Sequence, residues 1–329
     1  MKPTTSPVKA RAHTNIALVK YWGKKNEQLI IPQNSSLSLT LDQFYTDTAV
    51  QFRDELAADQ ITFNGQLLTD DGQRKISRFL NVVRDLAGIS MHASVDTVNH
   101  VPTAAGLASS ASGFAALAGA ASRAAGLALS SRDLSRLARR GSGSATRSIF
   151  GGFAAWNMGH DDNSSYGYPI EETVDWDIAV VAVVLNKTAK KISSRQGMRA
   201  AVATSPFYGA WVQTATRDFD TVRQAIADKD FETLGHVSEE NAMRMHALNL
   251  SADPSFTYFN ADTLHAITLI HELRDAGYPC YCTIDAGPNI KVLCREPAVT
   301  AVVTKLQAAF GNDAVLVAHP GPGLTFITD

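Results

Sequence analysis

The chain of 329 residues is 45% apolar, 19% charged and 8% aromatic, with 30 basic against 32 acidic side chains and a formal charge of −2. That balance excludes disordered, collagen-like and coiled-coil classes, and it argues against a nucleic-acid binder, which shows a basic excess. Five arginines between Arg132 and Arg147 form a local basic patch, suited to one small anion.

The length suits two domains or one large one. Cys280, Cys282 and Cys294 have neither disulfide-framework nor zinc spacing and read as buried core thiols. The opening MKPTTSPVKARAHTN lacks the apolar stretch of a secretory signal. The longest apolar run, Ile178–Leu185, falls far short of the roughly 20 residues that cross a bilayer. A cytoplasmic protein that binds neither membrane nor nucleic acid is expected.

In chain order, Ser36–Leu41 and Tyr45–Phe52 alternate as two short strands with a turn at Asp42 and Gln43. Helical spacing of Ile76, Phe79, Leu80, Val83 and Leu86 predicts a helix over Gln73–Leu86, and Met91–Val98 reads as a strand. Thr103–Leu129 is dominated by Ala, Gly and Ser, which allow close approach of a ligand or a packed neighbour. Within it a helix is predicted over Ser109–Ala125, closed by Gly126, and a second over Ser131–Arg139 with Ser130 as N-cap. After a domain change near Val174 comes a Val-rich strand, Asp177–Leu185. Helices follow near Pro206–Ala227, Phe231–Leu248 and Thr263–Ala276, then strands Tyr278–Ile284 and Ile290–Arg295. A helix from Pro297 to Gly311 and a strand Ala314–Ala318 complete a βαββαβ order with extra helices in the first crossover.

Four segments hold groups able to do chemistry. In Arg11–Lys25, Lys20 and Lys24 flank Tyr21 and Trp22, either as a phosphate-binding lip or as an edge-strand end with snorkelling lysines. Val101–Ser112 (VPTAAGLASSAS) ends a strand and opens a helix, whose unpaired N–H groups and positive dipole end suit an anion. Ser109 and Ser110 there could bond phosphate or ligate Mg²⁺, although a plain serine N-cap fits the same letters. No GK[ST] follows a glycine loop, so Walker A is absent. Arg140–Arg147 (RGSGSATR) offers Ser142, Ser144 and the fork of Arg147, or is a flexible connection. Thr283–Asn289 (TIDAGPN) puts Asp285 at a strand end, as a turn former or as a general base.

Together, NIALVKYWGK, the PxxxGLxSSA loop (Pro102–Ala111), GSGSATRS (Gly141–Ser148) and TIDAGPN resemble the mevalonate diphosphate decarboxylases. These belong to the galactokinase, homoserine kinase, mevalonate kinase and phosphomevalonate kinase superfamily. The motifs stand in family order from Arg11 through Asn289. The resemblance implies an α+β, two-lobed fold. A ribosomal protein S5 domain 2-like, ATP-binding lobe would span residues 1–174 and a ferredoxin-like lobe residues 175–329, with the site in the cleft between. It implies a homodimer of the isoprenoid-forming mevalonate pathway that uses ATP and Mg²⁺. Its reaction would convert (R)-mevalonate 5-diphosphate to isopentenyl diphosphate, ADP, phosphate and CO₂.

By the same resemblance Asp285 would orient or deprotonate the 3-hydroxyl, Lys20 would keep Asp285 ionised, and Arg147 would clamp the carboxylate. Tyr21, Trp22, Gly23, Lys24, Arg74, Ser142, Gly143, Ser144, Ala145, Thr146, Ser194 and Arg195 would contact substrate. Pro102, Ala105, Gly106, Leu107, Ala108, Ser109 and Ser110 would hold ATP, with one serine as candidate Mg²⁺ ligand. One of Lys187, Lys190 and Lys191 would reach the nucleotide. The alternatives are a kinase stopping at the phosphorylated product, a decarboxylase of the 5-phosphate, and a ligand-binding relative without activity.

Overall fold

Strand-forming alternation dominates the first third, and the computed structural model, which describes residues 2–100, 109–186 and 191–327, begins accordingly. β1 (Val8–Val19), a hairpin of β2 (Lys24–Asn26) and β3 (Ile31–Pro32), and β4 (Ser36–Arg53) come first. β5 (Gln60–Phe63), β6 (Gln66–Leu67), α1 (Asp70–Ala87) and β7 (His92–Asn99) follow, then α2 (Ser109–Ala124), α3 (Ser131–Gly141), β8 (Phe153–Trp156) and β9 (Gly167–Glu171). The second half runs β10 (Ile178–Val183), α4 (Ser194–Thr204), α5 (Tyr208–Ala227), α6 (Phe231–Leu250) and α7 (Ala261–Asp275). β11 (Cys280–Ile284), β12 (Ile290–Arg295), α8 (Val299–Phe310), β13 (Val315–Ala318) and β14 (Thr325–Ile327) complete it.

The first sheet has the order β14-β1-β4-β7-β5-β6, with β8 pairing β4 and β9 pairing β8. The turn expected at Asp42 and Gln43 is instead a bulge in one long strand. Leu37, Leu39 and Leu41 face one core and Phe44 joins the same core, so the alternation changes parity across those two polar residues. Opposite them the β1 register slips between His13 and Asn15, and His13 Nδ1 lies 2.9 Å from the Leu41 carbonyl. The side chain of Asp42 accepts from the His319 backbone N–H (2.8 Å), which explains a polar residue at a bulge. β1 is likewise not an edge strand, since it lies between β14 and β4.

Small residues let α2 pack hard against the sheet. Ala115, Ala116, Ala118, Ala120 and Ala121 are fully buried, and a Cβ at Gly119 would meet Leu324 Cδ1 at 2.7 Å. The expected stop at Gly126 is present as a left-handed residue (φ 82°), and Ser130 caps α3 by accepting from Asp133 N at 3.1 Å.

The second sheet is antiparallel throughout, in the order β11-β12-β10-β13. Numbered within that half, this is 2-3-1-4, the split βαββαβ arrangement anticipated from the order of elements. Both faces are covered, which explains the unbroken apolar run of β10. On one face Ile270 of α7 and Val302 of α8 pack on Val181, and the three buried cysteines lie in this layer. On the other, Val180, Ala182, Tyr281 and Leu293 share a core with Phe219 of α5, Leu234 of α6, and Ile16, Leu18, Leu37 and Leu39 of the first sheet. The two halves are joined through that core. α4 lies outside the predicted helices; its signature was a Ser193–Gln196 capping box.

Candidate active site

The junction of the two halves gathers the chemistry. β1 ends at Val19, and Lys20 is fixed there from three sides. Its N–H donates to Asn241 Oδ1 (2.8 Å), its carbonyl accepts from Asn34 Nδ2 (2.9 Å), and its ammonium donates to the Ala17 carbonyl (2.8 Å). The same ammonium lies 2.8 Å from Asp285 Oδ1. Asp285 opens the turn between β11 and β12, whose far end is fixed by Asn289 Oδ1 accepting from the N–H groups of Leu185 and Asn186. Lys291, on β12, brings a second ammonium to 3.4 Å from Asp285 Oδ2.

Lys20 and Lys291 are 2% and 1% exposed, and Arg147, also within reach of the Asp285 charge, is 2% exposed. Burial alone would push the Asp285 carboxyl up. The fields of Lys20 and Lys291 outweigh it and hold Asp285 well below the usual carboxylate range. Burial lowers the Lys20 ammonium, opposed by Asp285. Burial likewise lowers the Arg147 guanidinium to about 10. Three buried cations thus share the field of one carboxylate, an arrangement suited to a further anion.

Arg147 follows a 3₁₀ turn, Gly143–Thr146, at the end of α3. Its two terminal nitrogens donate to Ser36 Oγ and, at 3.3 Å, to Asn15 Oδ1, while Nε is buried with no partner among the described residues. Asn15 in turn donates to the Ser144 carbonyl (3.1 Å) and Ser148 Oγ (2.7 Å), locking this loop to β1. Ser142 Oγ lies 3.2 Å from Ser144 Oγ and 3.5 Å from Ser110 Oγ, so the GSGSATR loop meets the start of α2. Gly143 is required here. A Cβ on it would stand 2.8 Å from Tyr21 and 2.9 Å from Trp156. Ala145 and Thr146 are buried behind this turn.

The Tyr21 hydroxyl is buried without a partner among the described residues, and burial pushes its pKa far up, so it remains a neutral donor. Trp22 packs against Tyr258, and Gly23 holds φ 119° with the Tyr208 hydroxyl where a Cβ would stand. Lys24 pairs with Glu27 at 2.8 Å. Ser194 and Arg195 open α4, and the Arg195 charge reaches Tyr21 and Lys75. Arg74 is not brought to this cluster: its side chain is 64% exposed and pairs with Asp71. Its neighbour Lys75 lays its ammonium 4.7 Å over the Phe114 ring, and desolvation, then Arg195, lowers its pKa. Ser109 and Ser110 are exposed at the first turn of α2. Pro102, Ala105, Gly106, Leu107 and Ala108 lie outside the described residues, as do Lys187 and Lys190, while Lys191 is exposed.

Sequence reasoning missed Lys291, Asn15 and Ser36. The available signal for Lys291 was a cation among apolar residues in the strand that follows the Asp285 turn. Among the described residues no group of three or more His, Cys, Asp or Glu could hold a metal, and no helix is long and apolar enough to cross a membrane.

Two family models match this architecture. The diphosphomevalonate decarboxylase-like N-terminal domain matches residues 12–167, and the mevalonate 5-diphosphate decarboxylase C-terminal domain matches residues 179–319. The diphosphomevalonate decarboxylase of Candida albicans is 34% identical over 317 residues, covering 92% of this chain and 88% of that protein. The crystal structure of mevalonate diphosphate decarboxylase from Staphylococcus aureus is 48% identical with a TM-score of 0.95, over 98% of each chain. A structure of MDDEF in complex with MVAPP, AMPPCP and magnesium is 49% identical with a TM-score of 0.94, over 98% of this chain and 99% of that one. Matched along both halves in sequence and in fold, the chain belongs to the mevalonate diphosphate decarboxylase family.

Proposed function

We propose that the protein catalyses the ATP- and Mg²⁺-dependent decarboxylation of (R)-mevalonate 5-diphosphate to isopentenyl diphosphate, ADP, phosphate and CO₂. One observation carries this reading: Asp285 held between two buried ammoniums, with the buried Arg147 within reach of its charge. The bound MVAPP, AMPPCP and magnesium of the MDDEF complex support the same substrates and metal.

A tertiary hydroxyl leaves poorly and a phosphate leaves well. Asp285 accepts a hydrogen bond from the 3-hydroxyl and aims its oxygen at the γ-phosphorus. As the new P–O bond forms and ADP departs, the proton passes to Asp285 Oδ1 or Oδ2. Lys20 favours the oxygen's developing negative charge. The C3–O bond then breaks with its electron pair on phosphate. Electrons of the bond to the carboxylate carbon form the new double bond, releasing CO₂.

Of the five guanidinium N–H donors, Ser36 and Asn15 engage two of Arg147's, leaving three to orient the substrate carboxylate. Tyr21, Trp22, Gly23, Lys24, Ser142–Thr146, Ser194 and Arg195 are proposed to surround the diphosphate end, where Lys75 is better placed than Arg74. Ser109 and Ser110 would contact the nucleotide phosphates. Mg²⁺ would neutralise charge on those phosphates, with the hydroxyl of Ser109 or Ser110 as its candidate protein ligand.

Three reduced, buried cysteines support a cytoplasmic location, and the family resemblance supports a homodimer. The matches ending at residue 167 and resuming at residue 179 support a division near Val174, with β14 handed back to the first sheet. The test is to incubate the protein with ATP, Mg²⁺ and mevalonate 5-diphosphate or 5-phosphate and to measure ADP, phosphate and CO₂ separately. Equimolar ADP, phosphate and CO₂ from the 5-diphosphate are expected. ADP without CO₂ would identify a kinase, and preference for the 5-phosphate would reassign the substrate.

A further inference from the structure

Lys291 occupies an unusual place. It stands in the apolar strand β12, with Thr283 and Ala182 as its cross-strand partners, so all three side chains leave the same face of the sheet. That face packs on the first sheet: Thr283 Oγ1 donates to the Ala17 carbonyl at 3.2 Å. A cation 1% exposed on such a face is costly to bury, and its ammonium lies 3.4 Å from Asp285 Oδ2. Lys20 takes the other oxygen at 2.8 Å. The two lysines come from different halves of the molecule and grip opposite ends of one carboxylate.

We infer that Lys291 is a positioning residue for the reaction, fixing the plane of the Asp285 carboxylate so that the remaining lone pairs face the 3-hydroxyl. A single contact from Lys20 would leave that carboxylate free to turn about its Cβ–Cγ bond. Two contacts remove this freedom, and both cations oppose protonation of Asp285 before phosphoryl transfer begins. The inference rests on the decarboxylase reading. The titratable groups around Asp285 are Lys20 at the end of β1, Lys291 on β12, Arg147 after α3 and His246 on α6.

The test is kcat and KM for wild type, Lys291→Met, Lys291→Gln and Lys291→Arg, together with Asp285→Asn and the double variant Asp285→Asn/Lys291→Met. Lys291→Met and Lys291→Gln should lower kcat about tenfold, with KM for ATP within about twofold. Lys291→Arg should recover much of the loss. In the Asp285→Asn background, Lys291→Met should change kcat by less than about twofold. Lack of turnover by wild type would defeat the decarboxylase reading. With wild type active, an unchanged kcat in both uncharged variants or an equal loss in both backgrounds would defeat the Lys291 inference alone. Failure of both uncharged variants to fold would reduce Lys291 to a support of the fold and overturn the proposal.

Discussion

Asp285 illustrates how one side chain's role follows from its neighbours. Asp285→Asn keeps the shape, removes the proton acceptor and weakens the grip of both lysines. It should lower kcat by about 10²–10⁴ with substrate Kd nearly unchanged, and kinetics within a few-fold of wild type would leave Asp285 a turn former. Arg147 makes a different kind of contact, present already in the ground state. A charge-assisted bond is worth roughly 1.5–3 kcal/mol. Arg147→Ala should therefore cost at least about tenfold in kcat/KM, partly through KM, with Arg147→Lys recovering a fraction. An analogue lacking the carboxylate should barely notice Arg147→Ala; equal losses for both compounds would remove Arg147 from the carboxylate.

Also at this scale, His246 donates Nε2–H to the Ile284 carbonyl at 3.2 Å, one residue before Asp285. Burial lowers its pKa to about 4 from 6.5, so between those values the unfolded chain binds a proton that the folded protein refuses. The His246 contribution to stability is therefore complete above about pH 6.5, and roughly 3 kcal/mol of it is lost as pH drops to 4. His246→Gln keeps a donor without titrating, so its melting temperature should fall less steeply across that window. Parallel curves would show that His246 titrates normally. Asp285, Lys20 and Arg147 were legible in sequence because each stands in a distinctive run. Lys75 and Arg74 were not separable that way, because one residue along a helix turns the side chain by about 100° and only packing against Phe114 chooses between them.

At the scale of elements, the sequence conveyed periodicity well and continuity poorly. The helix ending near Gly126 stops where a left-handed glycine was expected, since a terminator is a local signal, and Gly277 (φ 89°) follows the last helix before β11 in the same conformation. The bulge in β4 read as a turn because Asp and Gln break alternation in either case. Only the β1 ladder distinguishes them: it passes from His13 opposite Tyr45 to Asn15 opposite Thr40, so Thr14 alone spans the four residues of the bulge. The short β8 and β9 carried no local signal either, being held by pairing with β4. The turn between α3 and Arg147 is the element on which site geometry depends most. Gly143→Ala would press a methyl into Tyr21 and Trp156, rings whose centroids are 4.8 Å apart. Overpacking of this kind costs about 1–3 kcal/mol, so a lower melting temperature is expected, with KM for the diphosphate substrate raised more than KM for ATP. An unchanged KM ratio would show that the turn does not set the substrate site.

At the scale of the whole molecule, the site exists only where the halves meet. Lys20 belongs to the first sheet and Asp285 to the second, separated by 265 positions, and the shared core of Leu37, Leu39, Val180 and Leu293 holds them in register. The family resemblance set Lys20 beside Asp285, which neither spacing nor composition could do, and the packing of the two sheets supplies the contact. The central claim is that the substrate's own hydroxyl oxygen is phosphorylated and leaves as phosphate. It is tested most directly with mevalonate 5-diphosphate carrying ¹⁸O in the 3-hydroxyl, following the label by mass spectrometry of released inorganic phosphate. The account predicts one ¹⁸O in each phosphate released. Label appearing in water, with unlabelled phosphate, would mean that ATP hydrolysis and loss of the hydroxyl are separate events and would contradict it.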